Sequence, residues 1–124
     1  MSARKRFAAI GLSATMLSGV GVALTATDAA AATYACNYTR TTNPYRTYAG
    51  HYSGSTHIPT KGSWSKANIE AQCLLKKDGW NPGPIDGIYG DQTLSAVMYM
   101  QARYGIGIDG YMGPESWPIL RYFA

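Results

Sequence analysis

The sequence predicts an all-α fold: a small three-helix bundle with an irregular N-terminal arm and one disulfide. Three observations lead there. Apolar residues recur at helical spacing in three stretches after Gly62. Glycine and proline punctuate the gaps between those stretches. A turn motif occurs twice, 23 residues apart, and each copy leads into a helix.

The chain has 124 residues, room for one domain. With 46% hydrophobic and 15% charged residues it is globular in composition, which excludes wholesale disorder. Residues 1–32 read as a secretory signal peptide. Arg4, Lys5 and Arg6 form a basic head, Phe7 to Ala26 carry no charge, and Ala29 to Ala32 offer a small-residue cleavage site after Ala32. A membrane anchor is the alternative, since Phe7 to Leu24 is about long enough to span. That segment is rich in Gly, Ala, Ser and Thr and runs into the alanines, which favours cleavage. The mature chain is then expected to be secreted or extracellular, with no membrane partner.

The head holds three of the eleven basic residues, and Asp28 is one of seven acidic ones. The remainder therefore carries about +2. It has no Arg/Lys stripe and no nucleic-acid signature. Cys36 and Cys73 both remain, and an even count in an exported chain reads as a disulfide. Such a bridge would close a loop of 37 residues. It is worth on the order of 3–4 kcal/mol in a small domain. Zinc or a reactive thiol is the weaker reading, because no second ligand cluster accompanies either cysteine.

Residues 33–62 hold half of the tyrosines, Tyr34, Tyr38, Tyr45, Tyr48 and Tyr52, without clear periodicity. They read as an irregular arm tied down through Cys36. The first helix follows, capped by Ser65. Ile69, Cys73 and Leu74 or Leu75 face inward, while Lys66, Glu70, Lys76 and Lys77 stay wet. Gly79 ends it, and Trp80 to Pro84 cannot continue it. The second helix runs from about Asp91 to Tyr104, opened by Gly90 or Asp91 and closed by Gly105. Leu94, Val97, Met100 or Gln101, and Tyr104 share one face. A third stretch spans 114–123.

The repeat pairs Asp86-Gly87-Ile88-Tyr89-Gly90 with Asp109-Gly110-Tyr111-Met112-Gly113, each followed by Thr93 or Ser116 and an apolar residue. The aspartate is expected to accept backbone N–H bonds. The first glycine takes a conformation other residues resist, and the second admits the chain to the helix. Ile88 and Tyr111 are expected to point into the core.

In these residues the chain resembles the peptidoglycan-binding domain of bacterial and phage cell-wall hydrolases. The resemblance rests on Gln72, Leu74 and Leu75; Gly79-Trp80; both Asp-Gly turns; Thr93, Ala96, Val97, Met100 and Gln101; and Pro114, Ser116, Trp117 and Leu120. It covers about 63–123 and assigns residues 63–124 to that domain. It implies a compact three-helix bundle holding wall glycopeptide, glycan or stem peptide, in a shallow groove, with no cofactor and no metal. Two departures matter. Pro118 lies where the last helix should form, so that helix is expected to start late, near Ser116, or to be distorted. Asp91 replaces a proline often found there, a mild change at a helix start.

The candidate ligand residues are Asp86, Gly87, Tyr89, Thr93, Gln101, Tyr104, Asp109, Tyr111 and Trp80. Asp86 and Asp109 are expected first to hold their turns. Tyr89, Tyr104 and Tyr111 could pack a ring and offer a hydroxyl. Thr93 and Gln101 could reach amides or carboxylates, against plainer roles as cap and helix hydrogen bond. Trp80 could stack on sugar, whereas Trp117 reads as a core anchor. No residue is expected to be catalytic. His51 and His57 lie in the arm and read as exposed loop residues, too few for a zinc hydrolase. A minimal wall hydrolase using them, and a small interaction or inhibitor protein that docks a secreted partner through the bundle, suggested by the otherwise unexplained Tyr-rich arm, are the competing readings.

Overall fold

The computed structural model describes residues 32–124, so the leader expected at 1–32 lies, but for Ala32, outside the described residues. In chain order the elements are strands β1 (Thr39–Thr42) and β2 (Tyr45–Tyr48), then helices α1 (Lys66–Lys77), α2 (Asp91–Arg103) and α3 (Ser116–Phe123). The strands form an antiparallel hairpin with Thr39 opposite Tyr48 and Thr42 opposite Tyr45. The all-α expectation is therefore corrected: the fold is mostly helical with a two-stranded sheet in the arm. Thr and Tyr suit strands and Asn43-Pro44 makes the turn. Four residues per strand are too few to show a period, and an isolated hairpin of this size is marginal. The rest of the fold holds it, with Thr47 buried and Tyr38 donating to the Cys73 carbonyl at 2.7 Å. Cys36 and Cys73 form the expected disulfide.

Ser65 caps α1 by accepting from the Asn68 N–H at 3.0 Å, and Gly79 leaves the helix at φ 95°. Every residue from Ala67 to Leu75 is buried, because the bundle covers one side of α1 and the arm covers the other. Leu74 and Leu75 are both interior, as are Met100 and Gln101 on α2. Trp117 and Leu120 complete the core, with the Trp117 indole donating to the His57 carbonyl at 2.7 Å. The Trp117 N–H closes a turn on the Gly113 carbonyl at 2.9 Å. Pro118 has no N–H to extend that turn, so α3 starts at Ser116, where the sequence placed it.

Glu70, expected to stay wet, is fully buried. Its Oε2 accepts from Arg121 Nη1 and from the Ala49 N–H, both at 2.8 Å. Its Oε1 accepts from the N–H groups of His51 and Tyr52 at 3.0 and 3.2 Å. Arg121, 1% exposed, also donates to the carbonyls of Thr47, Tyr52 and Gly54. Its guanidinium lies 4.3 Å over the Tyr48 ring. One ion pair between α1 and α3 thus gathers arm residues 47–54. The partners lie 18 to 74 positions away, so no local pattern announces them.

Removing one charge from such a pair strands the other in the interior. Glu70→Gln should lower unfolding free energy by about 3 kcal/mol. A urea titration giving the wild-type midpoint would show that the pair does not anchor the arm.

Candidate functional site

The two Asp-Gly turns are built alike, and each is clamped by a buried glutamine from the preceding helix. In the first, Gln72 Oε1 accepts from the Gly87 N–H at 2.8 Å. Gln72 Nε2 approaches Asp86 Oδ1, the Ile88 carbonyl and Thr93 Oγ1 at 3.2, 3.0 and 3.0 Å. In the second, Gln101 Oε1 accepts from Gly110 and Asp109 at 2.9 and 3.1 Å. Gln101 Nε2 approaches Asp109 Oδ1, the Tyr111 carbonyl and Ser116 Oγ at 2.9, 3.0 and 3.1 Å. Each aspartate also accepts from the N–H two residues on, at 2.9 Å. Gly87 and Gly110 sit at φ 80° and 82°. A methyl group on Gly87 would fall 2.5 Å from the Trp64 indole nitrogen, and one on Gly110 would fall 2.8 Å from Leu94. Neither position has room or conformational tolerance for a side chain.

The turns lie close together. The Tyr89 hydroxyl donates to the Gly110 carbonyl at 2.8 Å, and its ring stacks on Tyr111 at 5.7 Å. The core residue of each motif is the fourth, Tyr89 and Met112, both fully buried. Ile88 is 40% exposed and Tyr111 half-buried, which corrects the expectation that these two point inward.

Burial sorts the predicted ligand residues. Tyr89, Thr93 and Gln101 are interior, and their polar atoms bond within the chain. Gly87 is buried under Trp64. Asp86, Asp109 and Tyr111 reach the surface, each aspartate with Oδ1 committed to its turn. Trp80 and Tyr104 meet at Asp78, whose Oδ2 accepts from the Trp80 indole and the Tyr104 hydroxyl, both at 2.8 Å.

Two hollows flank the turns. The larger, of about 600 Å³, lies beside the first turn between Tyr34, Lys76, Trp80 and the 81–85 loop. The smaller, of about 170 Å³, lies at the second turn among Ile58, Asp109, Tyr111 and Glu115. The first has a cation and two aromatic walls, whereas the second is rimmed by carboxylates. Tyr34 and Lys76 were absent from the sequence-based candidates. So was Trp64, 51% exposed and 6.3 Å from Tyr34. Tyr34 reaches the first hollow only because the arm folds back, its N–H donating to the Ile85 carbonyl at 2.9 Å.

His51 and His57 are half-buried; the His51 ring contacts the Ala35 carbonyl at 2.7 Å. Among the described residues no three His, Cys, Asp or Glu side chains gather as a metal site. Burial and the hydrogen bond to Asp78 push the Tyr104 phenol up to about 12. Burial pushes the Tyr89 phenol up as well.

Three helices on a twice-used, glutamine-clamped Asp-Gly turn define a class of small binding domain. Residues 66–120 match the model of the family described as putative peptidoglycan binding domain. The chain is 32% identical over 118 residues to an uncharacterized protein of Kitasatospora aureofaciens, covering 94% of this chain and 91% of that one. It is 30% identical over 66 residues to a spore cortex-lytic enzyme of Bacillus cereus, covering 53% of this chain and 26% of the enzyme. A crystal structure of a peptidoglycan-binding protein from Clostridioides difficile, in complex with glutamine hydroxamate, superposes with a TM-score of 0.53 at 34% identity. That match covers 64% of this chain and 46% of the other. The chain thus spans most of one relative and less than half of the other two.

Two measurements check the site's construction. Gln101→Leu leaves the Asp109 and Gly110 N–H groups without an acceptor and should cost about 2–4 kcal/mol in denaturant unfolding. The raised phenols favour the protonated fold, so their contribution is complete below pH 10 and fades as pH climbs toward 12. Stability should fall across that window, and Tyr104→Phe should make the fall shallower; an unchanged slope would contradict the assignment.

Proposed function

We propose that this chain is a wall-binding module that takes a segment of peptidoglycan into the hollow beside the first Asp-Gly turn. One observation carries the reading: the hollow of about 600 Å³ is formed largely by residues 76–85, inside the matched domain, and is open and aromatic-walled. Its size suits a small glycopeptide. The Trp80 ring offers a face to a sugar, and Lys76 pairs with a stem-peptide carboxylate. At exposed Gly79 there is open space where a side chain would stand, so a stem peptide can approach the backbone there. Asp86 contributes indirectly, by holding the turn behind the loop.

The same reading makes the module non-catalytic. In its support, the segment shared with the spore cortex-lytic enzyme is a quarter of that protein, leaving most of its length for other work. Export accords with the composition of residues 1–32 and with the disulfide, since such bonds persist in oxidising compartments. Affinity for one muropeptide is expected to be modest, because association costs several kcal/mol before any gain. A polymeric wall offsets this through repeated engagement.

Sedimentation with purified sacculi tests the proposal. Wild-type protein should pellet, and Trp80→Ala with Lys76→Ala should weaken retention about tenfold. Added salt should weaken the Lys76 share. Wild-type protein left in the supernatant would end the reading.

A further inference from the structure

Away from the Asp-Gly turns, the C-terminal ends of all three helices meet. Asp78, the cap of α1, accepts from Tyr104, the cap of α2. The Tyr104 ring stacks on Phe123 at the end of α3, with centroids 4.1 Å apart and planes within 5°. Tyr122 stands edge-on to Phe123 at 4.9 Å, and Tyr45 of the hairpin follows at 6.4 Å. Tyr45, Tyr122 and Phe123 are 50%, 47% and 46% exposed. Arg40 ties the row together: it lies 5.3 Å from the Tyr45 ring and donates to the Tyr122 carbonyl at 3.0 Å.

Apart from Asp78, the charges around this row are positive. Lys76 and Lys77 end α1, Arg103 ends α2, and Arg40 stands over the Tyr45 ring of the hairpin. Asp78 is the acidic partner there, and it is held by Trp80 and Tyr104. The acidic side chains Asp86, Asp91, Asp109 and Glu115 sit instead at the turns and the helix starts. Helix C-termini favour cations, which accounts for Lys76, Lys77 and Arg103. It does not account for Arg40, nor for large rings left in water.

We propose that this row is a second contact surface, and that its occupant is the glycan strand of peptidoglycan. The inference rests on the wall-binding reading above and extends it. Pyranose rings present flat C–H faces that pack on aromatic faces. Muramic acid adds a carboxylate, free where the stem peptide is absent, that complements the guanidinium groups. A run of rings that steps from hairpin to helix end suits a linear polymer better than a compact peptide. The row is continuous with the first hollow through Asp78, which bonds Tyr104 on one side and Trp80 on the other. A strand on the row would therefore deliver its stem peptide toward the hollow. Tyr45, Tyr122, Phe123 and Arg40 lie outside residues 66–120, so the exposed rings of the surface come from the arm and the last turn of α3, while the matched segment supplies Tyr104 and Arg103 beside them.

Calorimetry with the disulfide-intact protein and two probes tests this. The probes are glycan strands freed of peptide and teichoic acid, and a monomeric muropeptide. The variant Tyr45→Ala/Tyr122→Ala should bind strands about tenfold more weakly and the muropeptide as wild type does. If its melting temperature drops, Arg103→Gln on the exposed last turn of α2 replaces it. That variant should bind strands more weakly with a shallower salt dependence. Wild-type affinity for strands in these variants would overturn the inference, as would wild-type protein that pellets with sacculi yet ignores stripped strands. Wild-type protein that binds neither sacculi nor muropeptide would instead overturn the wall-binding reading itself.

Discussion

A buried carboxamide used twice is the constraint on which this structure turns. Glutamine carries an acceptor and a donor on one planar group. At each Asp-Gly turn it can therefore satisfy a glycine N–H and a carbonyl of the same loop at once. A tight turn next to a core leaves such groups cut off from water, and each would cost free energy if unpaired. Gln72 and Gln101 remove that cost and bind each loop to the helix before it. Thr93 and Ser116 link the same carboxamides to the helix after it. Helix order, helix spacing and the hollow beside the first turn follow from this pair of fasteners.

The arm is held by different means. The disulfide ties its start to α1, and the Glu70–Arg121 pair gathers residues 47–54 between α1 and α3. A buried ion pair is weak support by itself, because desolvation opposes the attraction. Here six further hydrogen bonds to arm backbone surround it, and among the described residues Arg121 Nε is the one buried side-chain polar atom without a partner. The arm is thereby part of the domain rather than a tail. It contributes Tyr34 to one surface and Tyr45 to another.

In the proposed reading, ligand meets surfaces that the turns position but do not form. Gln101 and Thr93 spend their polar atoms on architecture, and Asp86 and Asp109 each commit Oδ1 to their turns. The groups left for a ligand are rings and cations around them: Trp80 and Lys76 at the hollow, and the tyrosines and arginines where the helices end. This division lets a small domain keep its loops rigid and still offer an adaptable face.

What the sequence determined by itself was whatever depends on neighbours in the chain. Ser65, Gly79 and Gly105 mark helix ends, Pro118 delays α3 to Ser116, and the duplicated turn is visible as a repeat, because caps, turns and missing N–H groups act within a few residues. Tertiary structure alone decided the rest. Glu70 looks like a surface residue until Arg121 and the arm close over it. Whether Ile88 or Tyr89 fills the core depends on the second turn, which receives the Tyr89 hydroxyl. The hairpin exists because α1 and α3 supply the contacts that four-residue strands lack. Burial and ion pairing are settled between residues far apart in the chain, and a linear pattern records only the near ones.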